Sequence, residues 1–181
     1  DLVTVSEYAA KQASDSSVCG LKAGDVISLH DLLYGMMLKS GNDAAIAIAE
    51  HLSGSVEAFA DLMNQEANAM GETRSHFVNP NGLPDENHYT SVYDLYLIFQ
   101  NAVKDDRFVD IISTMSYDTS YTDAAGNPVE KTWENTNQYL VGKETPPDGI
   151  TVVGGKTGTT GAAGYCLVLY STNSAGQPIV S

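Results

Sequence analysis

One stretch of the chain gathers groups able to act on another molecule: Gly154-Gly155-Lys156-Thr157-Gly158-Thr159-Thr160-Gly161. The β-branched run before it, Ile150-Thr151-Val152-Val153, predicts a buried strand that presents a lysine and several hydroxyls together. Glycines allow a backbone or a substrate to approach closely. The lysine brings a fixed positive charge, and the backbone N–H groups beyond it are potential oxyanion donors. A phosphate-binding loop would need a glycine five positions before its Gly-Lys-Thr, and that position is Ile150. Gly158, Gly161 and Gly164 also oppose the helix that such a loop must open.

A second candidate lies far upstream, at Lys39-Ser40-Gly41-Asn42-Asp43. It separates the apolar stripe Leu29, Leu32, Leu33, Met36 and Met37 from the nearly all-apolar run Ala44–Ala49, both predicted as helices. The second helix is too short to span a bilayer and too apolar for the surface, so it is expected at the centre of the fold. Small polar residues between two buried helices need partners. Taken alone, the simplest partner is the next helix, with Ser40 or Asn42 as its cap.

The remaining elements follow from caps and periodicity. Thr4-Val5-Ser6-Glu7 has capping-box form and predicts a helix from Ser6 to about Ala13, followed by a loop over Ser14–Gly24. Ser28 opens the helix carrying the Leu29 stripe. Ser55 starts a helix with Val56, Phe59, Ala60, Leu62, Met63, Ala67 and Met70 inward, closed by Gly71. Ser91-x-x-Asp94 begins another through about Val103, and Asp105-Asp106 one more with Phe108, Ile111 and Ile112 inward. Past Met115 the period changes to two. Tyr117, Thr119 and Tyr121, the turn Gly126-Asn127-Pro128, then Val129, Lys131 and Trp133 form a predicted hairpin. A polar loop over Asn135–Asp148 leads back to the lysine strand, and strands are expected at Tyr165–Ser171 and from Gln177 onward. The expectation is an α+β fold in a single domain over 1–181, a helical first part against part of an antiparallel sheet.

Composition narrows the function. With 23 acidic against 9 basic residues the net charge is −14. Nucleic acid is excluded as a partner, because binding it requires a basic face. No apolar run approaches a membrane span. The two cysteines, Cys19 and Cys166, form no Cys-x-x-Cys, and the four histidines show no His-x-x-x-His spacing, so neither a metal nor another cofactor is expected. Cys166 lies within an apolar run and is expected to be buried.

Ser40-Gly41-Asn42 in a helix–helix turn and Lys156-Thr157-Gly158 on a strand match two of the three motifs of penicillin-binding proteins and serine β-lactamases. The segments Leu32–Gly35, Ser40–Ala45, His76–Leu83, His88–Ser91, Asp148–Ile150, Lys156–Thr159 and Ala163–Tyr165 together resemble the D-Ala-D-Ala carboxypeptidase family, over nearly the whole chain from Val3 to Gln177. The resemblance implies a β-lactamase/transpeptidase-like fold and serine acyl transfer on peptidoglycan pentapeptides ending in D-Ala-D-Ala, in the cell envelope outside the cytoplasm, with β-lactam antibiotics as inhibitors. It implies that Ser40 relays protons, Asn42 binds a substrate amide and Lys156 offsets negative charge. It further implies that Thr157 contacts the substrate carboxylate, next to Gly158, and that the Thr159 N–H is an oxyanion donor.

Two departures qualify the match. No serine is followed three residues later by lysine, so the family's first motif, which carries nucleophile and base, is absent. Cys19-Gly20-Leu21-Lys22 has that spacing only by coincidence, in a predicted loop. The expectation is a fragment incomplete at both ends, inactive alone, whose nucleophile lies on a missing N-terminal segment. Gln138 stands in the Asn-x-Asn-x stretch where several relatives carry an arginine. The alternatives are a non-catalytic relative that only binds peptidoglycan peptides or penicillin, and a β-lactamase. The Asn79–Leu83 and His88–Ser91 blocks favour a carboxypeptidase over a β-lactamase.

Overall fold

Hydroxyl and carboxylate side chains set the helix starts. The computed structural model describes residues 1–71 and 74–181. Ser6, Ser28, Ser55 and Ser91 accept the N–H of Ala9, Asp31, Ala58 and Asp94, and Asp105 accepts that of Arg107. They open α1 (Glu7–Ala10), α2 (Leu29–Leu38), α4 (Val56–Ala69), α5 (Val92–Ala102) and α6 (Asp106–Ser113). The central helix α3 (Asn42–Ser53) differs, because its cap is Gly41, which has no side chain to bond the first turn; the Asp43 carboxylate accepts the Ala44 N–H from within that turn instead. Neither Ser40 nor Asn42 caps it, so the simplest reading of that turn is overturned.

Helix α1 is shorter than its sequence suggests. The Gln12 side-chain amide donates to the carbonyls of Tyr8 and Ala9, at 3.3 and 3.0 Å. It takes the acceptors that another helical turn would need. On α4 only Val56, Ala60 and Ala67 are buried, and Leu62 faces outward because the helix packs chiefly on α3.

The core is built around α3. Every residue from Asn42 to Ala49 is buried, and its alanines let α1, α2, α4 and strand β1 (Leu2–Thr4) approach closely. Val5, Ile27, Leu32, Tyr121 and Trp133 fill the remaining space.

The strands form two separate antiparallel sheets. The first runs β1–β2–β3–β4, with β2 at Val26–Ser28, β3 at Ser116–Thr122 and β4 at Pro128–Glu134. The predicted hairpin β3–β4 is present, with Tyr117 opposite Trp133 and Tyr121 opposite Val129. Its other two strands come from the N-terminal part, where the sequence reading places only helix and loop. The second sheet, β5–β6–β7, comprises Ile150–Thr160, Gly164–Asn173 and Pro178–Val180. Its burial is lower than expected: on β5 only Gly154 and Gly155 are buried, while Ile150–Val153 are partly or fully exposed. Cys166, expected inside, is exposed as well. Cover comes from α6 against β5 and α5 against β7, and it does not reach the hairpin end where Cys166 sits. A Cβ on Gly154 would lie 2.5 Å from the Ile112 carbonyl, which explains a glycine where α6 crosses the sheet.

Candidate active site

The chain leaves α2 at Leu38 and turns sharply into α3. Ser40 makes the turn at φ 59°, the one non-glycine residue with positive φ among those described. Its hydroxyl accepts a hydrogen bond from Lys156 Nζ at 2.8 Å, joining positions 116 apart in sequence. Strand β5 carries the lysine there, and Nζ also donates to the Thr157 carbonyl at 2.6 Å. Lys156 has no ion-pair partner among the described residues. Burial without a counter-charge lowers its pKa from 10.5 to about 8. Such an amine is mainly cationic at neutral pH, yet it can give up its proton at modest cost.

The adjacent hydroxyl is also held. Thr157 Oγ1 lies 2.6 Å from Thr136 Oγ1. Thr136 sits on the segment after β4, which is fastened to two helix ends. Its N–H donates to the Leu38 carbonyl at 3.1 Å, and the Asn135 amide donates to the Thr114 carbonyl at 2.9 Å. Asn135 Oδ1 then accepts the Asn137 N–H at 2.9 Å, fixing the loop from within.

A cleft of about 530 Å³ runs along this line, with Ser40, Thr136, Gln138, Thr157, Gly158 and Thr159 on its walls. Five of the six predicted site residues thus converge: Ser40 and Lys156 bond each other, and Thr157, Gly158 and Thr159 continue the wall with Ser40 opposite. Asn42 is the exception, being almost fully buried at the start of α3 and not part of the lining. Thr136, Ser17, Tyr139 and Tyr165 line the cleft and were not singled out as site residues from the sequence. For Thr136 a signal existed, a hydroxyl flanked by two asparagines. The arrangement puts a hydroxyl bonded to a buried amine at the edge of a cleft walled by strand residues, groups of the kind that acyl-transfer chemistry uses.

Comparison with known proteins decides the family. Residues 1–181 match the family model Peptidase S11, D-alanyl-D-alanine carboxypeptidase. The chain belongs to the D-alanyl-D-alanine carboxypeptidase family. It is 36% identical over 168 residues to D-alanyl-D-alanine carboxypeptidase DacF of Bacillus subtilis, covering 92% of this chain and 40% of that protein. It is 33% identical over 183 residues to DacA of Haemophilus influenzae, covering 100% of this chain and 43% of that protein. The chain therefore spans about two-fifths of the length of these relatives. Among solved structures it is similar to the crystal structure of the Streptomyces K15 DD-transpeptidase, with TM-score 0.85, 31% identity and coverage of 95% of this chain and 67% of that one. The helices and antiparallel sheets are those of the penicillin-binding transpeptidase fold, as the sequence resemblance implied.

Proposed function

We propose that this carboxypeptidase-family chain forms most of one wall of a serine acyl-transfer site. The site acts on peptidoglycan stem peptides ending in D-Ala-D-Ala, in the cell envelope outside the cytoplasm, and contributes to peptidoglycan biosynthesis and cell shape. The Lys156–Ser40 hydrogen bond carries the reading, since it assembles two distant motifs into one unit. The attacking oxygen belongs to a Ser-x-x-Lys element that these 181 residues do not contain. That oxygen adds to the carbonyl carbon of the penultimate D-alanine. The oxyanion is received by strand N–H groups including that of Thr159 beside Gly158, and Ser40 passes a proton toward the departing D-alanine amine. Lys156 offsets the negative charge and Thr157 meets the terminal carboxylate. Water then hydrolyses the ester. β-Lactams enter the same site as acyl donors and inhibit it.

The test is acylation by a fluorescent penicillin, read by intact mass, on this chain alone and on a version extended upstream. Labelling of the extended version only is the expected result. No labelling of either identifies a non-catalytic binder. Labelling of the short chain would place the nucleophile within it and overturn the assignment.

A further inference from the structure

Asp43 is 1% exposed and makes no ion pair among the described residues. Its carboxylate is satisfied by backbone alone. Oδ1 accepts the N–H of Cys19 at 2.8 Å and of Ala44 at 2.9 Å, and Oδ2 accepts those of Gly20 at 2.9 Å and Leu21 at 3.0 Å. An ionised carboxylate is costly to bury unless donors replace its water, and four N–H groups do so here. Three of the four come from a loop more than twenty residues upstream.

The same loop grips the Ser40 turn elsewhere. The Asn42 N–H donates to the Ser17 carbonyl at 2.9 Å, and the Ser17 hydroxyl donates to the Lys39 carbonyl at 2.7 Å. Cys19 fills the space above the turn: a Cβ on Gly35 would lie 2.6 Å from its sulfur, and one on Gly41 would collide with the same atom. Burial and the neighbouring carboxylate push the Cys19 thiol pKa far up, so the sulfur acts as filler and not as a nucleophile. Between these grips stands Ser40, in a backbone conformation that L-residues keep only where their surroundings over-determine it.

We propose that Asp43 and the Ser17–Leu21 loop form a clamp that holds Ser40 in its left-handed conformation with its hydroxyl on Lys156. Asp43 is thereby a positioning residue for acyl transfer, touching no substrate. The inference rests on the acyl-transfer reading above.

Asp43→Asn in the upstream-extended protein tests it. Asparagine keeps the shape but turns an NH2 group toward N–H donors that need an acceptor. The expected result is an acylation rate constant about a hundredfold lower, the loss typical of a displaced reacting group. The Cys19, Gly20 and Leu21 amide proton resonances should move upfield as their charged acceptor disappears. Asp94→Asn is the matched control, because Asp94 is also buried and accepts from the Arg74 N–H and the Ser75 hydroxyl. It should lower Tm but leave the acylation rate within about threefold of the parent. An unchanged rate in Asp43→Asn, or an equal loss in Asp94→Asn, overturns the clamp. If Asp43→Asn yields no folded protein, Ser17→Ala decides: about a five- to tenfold slower acylation supports the clamp and an unchanged rate refutes it. A parent protein that is not acylated at all would instead refute the functional reading.

Discussion

Ser40 stands on a deeply packed part of the molecule and Lys156 on a thinly covered sheet. Around Ser40, α3 is buried residue after residue from Asn42 to Ala49, and Leu32 and Leu38 are fully enclosed beside it. Around Lys156, the only buried residues of β5, β6 and β7 are Gly154, Gly155 and Ser171. One region is held by apolar burial, the other by a backbone ladder and a seam where Gly154 meets α6. A single 2.8 Å hydrogen bond therefore depends on two kinds of order, and each should fail in its own way.

The largest expected effect is in the packed region. Leu32→Ala, at 0% exposure, should cost about 2–5 kcal/mol, whereas Leu167→Ala on β6, at 43%, should cost less than about 1 kcal/mol. Urea melts of both variants check the contrast; equal losses would erase it. Next, Lys156→Ala in the upstream-extended protein should slow penicillin acylation about 10²–10³-fold. Its Tm should not fall, because the change removes a buried amine without a counter-charge. Gly154→Ala addresses the seam. Its methyl group would press on the Ile112 carbonyl, and the expected loss is about 1–3 kcal/mol by thermal melting, with Lys156 displaced from Ser40.

The smallest effect is a pH dependence. With its pKa at about 8, Lys156 loses its charge as pH rises through that value. Binding of a peptide with a terminal carboxylate should weaken by up to about tenfold per pH unit above it, measured as Kd from pH 6.5 to 9.5. Stability should move the other way. The folded pKa is depressed from 10.5, so the unfolded chain binds the proton more tightly and stability rises between about pH 8 and 10.5.

Side chains that act on their own backbone were the most legible part of the sequence. Ser28, Ser55, Ser91 and Asp105 are caps where their spacing places them. The all-apolar run Ala44–Ala49 is the central helix because nothing in it tolerates water. Strands β1 and β2 were invisible because three residues give no period to read. Cys166 and Ile150–Val153 misled for a related reason: an apolar run implies cover but does not supply it. In the site, the approach of Ser40 to Lys156 followed from family resemblance, since nothing local links positions 116 apart. Thr136 was lost inside a polar loop, its role depending on bonds to Leu38 and Thr114 that only the fold creates.

The ladder between β5 and β6 skips a step, with Val152 opposite Ser171 but Gly154 opposite Tyr170, leaving Val153 as an extra residue. A bulge reverses the parity of the strand beyond it. The strand is thus divided into two phases, a root that can gain or lose one residue and a tip, Gly154 to Thr160, that cannot. Deleting Val153 should merely straighten the strand, leaving every tip pairing in place and Lys156 still bonded to Ser40. Deleting Gly154 or Gly155 would instead shift Lys156 by one position against β6 and turn its side chain to the opposite face, parting it from Ser40. In this strand, counting residues and aiming charges are the same operation.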